Sequence, residues 1–134
     1  MLLMEKVVKV ASKIENLRKV EKLVDDISVE CNLNAEIYGN VLIATLEAAN
    51  NAILHGNKLD ENKDVTITYS YDEEELHIVI KDTGPGFDYE NIPDPTAPEN
   101  IENINGRGVF LMEKLSDELV FSDNGSQVEL IFKL

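Results

Sequence analysis

The stretch "VTITYSYDEEELHIVIKDTGPGF", residues 65–87, decides how this chain folds. Val65, Ile67, Tyr69 and Tyr71 alternate with Thr66, Thr68 and Ser70, the period of a half-buried strand. The acidic turn "DEEE" follows, and Leu76, Ile78 and Ile80 resume the alternation. The two runs predict a β-hairpin with its apolar side chains on one face. It delivers the chain to Asp82, after which Gly84 and Gly86 flank Pro85. Gly-Pro-Gly is ordinary turn chemistry, and an acid beside a turn is most often a solvated one. "KDTGPGF" alone therefore leaves two readings open: a tight turn, or a place where the backbone makes room for a ligand.

Working outward, residues 3–11 read as a strand, and "SKIE" (Ser12 to Glu15) has the form of a capping box. Ile14, Leu17, Leu23, Val24 and Ile27 follow at helical spacing and predict a first helix to about residue 30. Asn34 is placed to cap a second helix from Ala35 to roughly His55, closed by Gly56 and Asn57. Ile37, Val41, Ala44, Ala48 and Ala52 make its buried face. Downstream, residues 88–105 have no apolar period and contain Pro93, Pro95 and Pro98. So long a stretch is either functional or mobile. A short helix is expected from about Arg107 to Leu115, and "ELVFSDNGSQVELIFKL" (118–134) is a hairpin with Asn124-Gly125 as its turn signal. No repeat and no second domain is visible. The order β-α-α-β-β-loop-α-β-β implies an α+β fold, a two-layer α/β sandwich with a mixed, mostly antiparallel sheet and helices packed on one face.

Composition bounds the function. The 134 residues are about one domain's length, and 43% apolar residues are enough for one core. The net charge of -14, from 26 acidic and 12 basic residues, argues against a nucleic-acid partner, which needs a basic footprint. A solvated acidic surface is the plainest meaning, and a basic protein partner is compatible with it. Cys31 is the single cysteine and reads as a small structural residue. His55 and His77 lie far apart and form no zinc motif. "MLLMEKVVKV" is apolar too briefly for a signal peptide or membrane span, so a cytoplasmic location is expected.

Three short stretches carry chemistry. In "LEAANNAILHGN" (46–57), Glu47 and Asn51 are four residues apart and project from one helix face. A solvated stripe explains them equally well; facing a nucleotide, the amide oxygen suits Mg²⁺ and the carboxylate suits a general base. In "NGRGVFLM" (105–112), Gly106 and Gly108 stand at a helix start, where small residues let amides approach an anion. Arg107 between them adds a fork of donors for phosphate oxygens. No Walker loop or dinucleotide fingerprint is present.

Taken in order, "EAANNA", "DTGPGF" and "NGRGVFLM", with a proline-containing loop between the last two, resemble the ATP-binding domain shared by gyrase, Hsp90, histidine kinases and MutL. The resemblance covers residues 40–134, and it implies the Bergerat-type ATP-binding fold in a single histidine-kinase-like domain, 1–134. Within that superfamily the chain looks most like the small anti-sigma factor serine-protein kinases of bacterial stress response and sporulation. The resemblance implies ATP and Mg²⁺ as cofactors. Asn51 would hold Mg²⁺ and Glu47 would be the general base. Asp82 would accept from the adenine amino group, and Gly84 and Gly86 would let the backbone close over the base. Gly106, Arg107 and Gly108 would hold phosphates, residues 88–105 would be the lid, and Ser126 would stand near the adenine. His55 follows the asparagine box as in the anti-sigma kinases, and a helix-end role suits it as well as a ligand role.

The implied function is a serine/threonine-protein kinase that phosphorylates an anti-anti-sigma (STAS-type) protein and sequesters a sigma factor, with no direct nucleic acid and no membrane. Relatives form dimers through the N-terminal region, which leaves a homodimer open. One feature departs from the pattern. Between Asp82 and Arg107 there is no lysine or arginine, while Asp88, Glu90, Asp94, Glu99 and Glu102 are acidic. Phosphoryl transfer depends on positive charge near the γ-phosphate. An ATP-gated binding module with little kinase activity is therefore the alternative.

Overall fold

The structure is a computed structural model, and it describes residues 4–86 and 104–134. Its elements run β1 (Met4–Ala11), α1 (Leu17–Cys31), α2 (Ala35–Asn51), β2 (Asp64–Tyr71), β3 (Glu75–Lys81), α3 (Ile104–Leu115), β4 (Glu118–Ser122) and β5 (Gln127–Lys133). The five strands form one sheet in the order β1-β2-β3-β5-β4. Every pairing is antiparallel, so the sheet expected as mixed has no parallel pair among the described residues. The element order and the α+β, two-layer architecture agree with the expectation.

Alternation sets the layers. Leu76, Ile78 and Ile80 of β3 and Val65, Ile67 and Tyr69 of β2 are buried, and they point to the face that the helices cover. Val20, Leu23, Val24 and Ile27 of α1, with Val41, Ala44 and Ala48 of α2, meet them in one core. The alanines let α2 lie close to the sheet. On the opposite face, His77 of β3 sits between Glu75 and Glu129, 2.8 Å from each. Partial burial disfavours its imidazolium, but the two carboxylates outweigh that and hold its pKa above the usual histidine value.

Four local expectations are corrected. "SKIE" is not a capping box: the first helix opens with a 3-10 turn over Ile14–Asn16, and its cap residues make no side-chain cap bond. Ser12 is instead fully buried, and its hydroxyl donates to the Lys63 carbonyl (2.7 Å). Ile14, expected in the core, is 41% exposed because it lies in that turn, and Val20 takes the core position. Asn34 does cap α2, with Oδ1 accepting from the Ile37 amide at 2.8 Å. The second helix does not stay α-helical to His55. It widens into a π turn over Ala52–Gly56, closed by the Asn57 amide donating to Ala52 O (2.8 Å). The final hairpin turns through Asp123 and Asn124, both at left-handed φ (52° and 59°), and then Gly125 at 95°. The positive-φ turn expected at Asn124-Gly125 thus begins one residue earlier and spans all three.

Candidate nucleotide site

The π turn, the end of β3, α3 and the β4–β5 connection surround one cleft of roughly 620 Å³, open mouth included. Its walls are apolar: Ala48 and Ala52 from α2, Ile80 from β3, Val109 and Met112 from α3, Phe121 and Val128 from the last hairpin. Polar groups enter at Asn51, His55, Asp82 and Ser126. An apolar cleft with few polar groups suits an apolar-faced ligand with a polar edge to recognise.

Asp82 is the polar anchor. Its residue is only 7% exposed. Its amide donates to Ser126 O (2.9 Å), and its Oδ1 accepts from the Gly84 amide (2.8 Å). Burial pushes its pKa up, against the opposing pull of that Gly84 bond. The carboxylate is pressed against the π turn so tightly that a Cβ at Gly56 would lie 2.2 Å from Oδ2. A Cβ at Gly84 would in turn lie 2.0 Å from Gly56 O. Gly84 therefore answers first to protein backbone; Gly86, at φ 84°, lines the cleft, yet a Cβ there would also meet backbone, 1.9 Å from Asn124 O. Ser126 donates its hydroxyl to Asp123 O (2.9 Å), so toward a ligand its Oγ can only accept.

At the other end, α2 presents Glu47 and Asn51, both half-buried, to α3. A Cβ on Gly108 would stand 3.0 Å from Asn51 Nδ2 and 3.2 Å from Glu47 Oε2, so α3 rests on this pair. Gly106 and Gly108 lie inside α3, which starts at Ile104 rather than near Arg107. Arg107 is exposed. The expected lid falls on residues 88–105, of which 88–103 lie outside the described residues. The structure thus brings Asn51, Asp82, Gly86 and Ser126 to one cleft, with Glu47 and Gly108 adjoining Asn51. Gly84 stands one layer behind.

Asn51 supplies a hard oxygen donor suited to Mg²⁺ beside the Glu47 carboxylate. No group of three or more metal-ligating His, Cys, Asp or Glu occurs among the described residues. Sequence reasoning assigned Gly56 only to helix closure and missed its contact with Asp82. The signal was its place beside a π turn, which periodicity cannot register. Among the described residues no helix is long and apolar enough to cross a membrane.

The histidine kinase-like ATPase domain family matches residues 10–132. The chain is 35% identical over 96 residues to the serine-protein kinase RsbW of Staphylococcus aureus, in strains JH9, Newman and USA300. That match covers 66% of this chain and 60% of those relatives.

Proposed function

The chain belongs to the histidine kinase-like ATPase domain family, and from that premise we propose that it is a cytoplasmic serine-protein kinase acting on an anti-anti-sigma (STAS-type) protein. In its other role it holds a sigma factor. The observation that carries the reading is the polarity of the cleft. Asp82 and Ser126, both acceptors, stand at one end, and the Glu47–Asn51 pair stands at the other with α3 against it. Adenine would enter the apolar slot and donate its amino group to Asp82. A guanine, with a carbonyl at the equivalent ring position, would set oxygen against carboxylate. The phosphates would then run toward Asn51, Gly106, Arg107 and Gly108. Mg²⁺, held through Asn51, would neutralise charge developing on the phosphates. Glu47 would take the proton of the incoming serine hydroxyl, and the serine oxygen would form its bond to the γ-phosphorus as the bond to ADP breaks. The serine-protein kinase named among the relatives supports this direction.

The absence of lysine and arginine between Asp82 and Arg107 favours a second reading, an ATP-gated binding module with little or no transfer. One experiment separates the two. The protein is incubated with Mg-ATP and a candidate antagonist, and phosphoserine is mapped by mass spectrometry. Stoichiometric phosphoserine upholds the kinase; ATP-dependent complex formation without it upholds the binder. In the same assay Glu47→Ala is expected to keep nucleotide affinity and to lose transfer by about 10²–10⁴-fold, the usual worth of a general base. Transfer equal to the parent would remove Glu47 from that role.

A further inference from the structure

Asn57 lies outside the cleft and is one of the most buried polar residues of the chain, at 1% exposure. Its side-chain amide uses its whole hydrogen-bonding capacity, which is two donors and two acceptor lone pairs. Nδ2 donates to Ser12 Oγ (2.9 Å) and to Asp64 O (3.1 Å). Oδ1 accepts from the Thr83 amide (2.9 Å) and from Thr83 Oγ1 (3.1 Å). One side chain thus joins the end of β1, the start of β2 and the segment that leaves β3. An amide buried this deeply is costly unless fully bonded, and this one is fully bonded.

The consequence lies one residue on each side. Gly56, preceding Asn57, packs against the Asp82 carboxylate, and Thr83, held by Oδ1, follows Asp82 directly. The Gly84 amide, next again, donates to Asp82 Oδ1. The backbone on both sides of that contact is therefore fixed by the same side chain. Lys58 and Leu59, which follow, hold left-handed φ of 51° and 60°, a conformation such residues avoid and keep only when their surroundings impose it.

We propose that Asn57 is a positioning residue for base recognition: it clamps Thr83 to the π turn and thereby fixes the Asp82 carboxylate against the cleft wall. The proposal rests on the reading of the cleft as an adenine site for its functional consequence, but not for its structural content. In Asn57→Ala the carboxylate keeps its own bond to the Gly84 amide, yet the segment that carries it loses its anchor.

The test uses the full chain in two measurements. Hydrogen exchange without nucleotide is expected to show faster exchange at Thr83 and Gly84 in Asn57→Ala, with the central amides of β3 still protected. Calorimetric titration with Mg-ATP and Mg-GTP is expected to show about tenfold weaker ATP binding, equivalent to one lost hydrogen bond, and a reduced ATP-to-GTP preference. Ser12→Ala, which opens the same network on the side away from the cleft, is expected to lose stability and keep the preference. Thr83→Val, at an exposed position, removes only the hydroxyl bond and covers the case in which Asn57→Ala fails to fold; about threefold weaker ATP binding is expected there. Unchanged exchange at Thr83 and Gly84 in a folded Asn57→Ala overturns the proposal. So does an equal shift of nucleotide preference in Ser12→Ala. If the parent binds neither nucleotide, the functional reading fails, and the exchange measurement still decides whether Asn57 fixes this segment.

Discussion

Asp82 shows how a single carboxylate can cost stability for the sake of a site. Its burial raises its pKa, so the fold holds the ionised form less well than the unfolded chain does. The sign follows from linkage. The neutral form fits the fold below the ordinary aspartate pKa, and that advantage is lost as pH rises through the raised value. Asp82→Asn is therefore expected to raise Tm by a few degrees at pH 7, with the gain shrinking as pH falls below the carboxylate range; thermal melts across pH check it. The same variant is expected to weaken ATP binding by at least about tenfold, since it loses a charged acceptor. Gly56 sets the opposite limit. A methyl there would overlap the Asp82 carboxylate, so Gly56→Ala is expected to destabilise by about 1–3 kcal/mol in urea unfolding, the usual cost of overpacking.

At the scale of elements, α2 carries both the core and the site. Ala44, Ala48 and Ala49 let the helix lie close to its neighbours, while Asn51 lines the cleft and Glu47 meets α3 at Gly108. Thr45 is the one flaw in its buried face: its residue is fully buried and Oγ1 has no hydrogen-bond partner. Thr45→Val keeps the shape and removes the unsatisfied hydroxyl, and helix propensity is nearly unchanged. A gain of about 1 kcal/mol is expected from chemical denaturation, with nucleotide affinity unaltered. The π turn that ends α2 matters as much as the helix. Widening at that point carries Gly56 to Asp82 and Asn57 into the network beneath the cleft, and such turns recur at functional sites.

Across the whole molecule, a net charge of -14 on 134 residues makes the compact state repel itself. Salt screens that repulsion, because the Debye length shortens from about 30 Å at 0.01 M to about 8 Å at 0.15 M. Tm is accordingly expected to rise with sodium chloride over this range, and a flat or falling curve would show that favourable ion pairs outweigh the repulsion. The same field favours a basic surface on any protein partner. It would make complex formation faster at low salt, which gives the proposed sigma-factor role a kinetic signature.

How much was legible varies with the range of the interactions. Strand alternation in residues 65–80, the Asn34 cap and the core positions Leu23, Val24 and Ile27 of α1 are set by near neighbours and are read correctly from sequence, while Ile14 is not. Each of the three motifs contributes residues to the cleft, Asn51 from the first, Asp82 and Gly86 from the second, Val109 and Met112 from the third, but residue types alone left a turn or a solvated stripe open. Ser12 was misread because its partners, Lys63 O and the Asn57 amide, lie 51 and 45 residues away. Gly56 was read only as a helix end because the carboxylate it touches is 26 positions further along the chain. Sequence by itself determined the layers, the order of elements and the residue types available to a nucleotide. Tertiary structure decided which of those residues meet, and why glycine is needed at 56 and an amide at 57. Contacts of that kind depend on how the sheet brings distant segments together, and local propensity has no record of it.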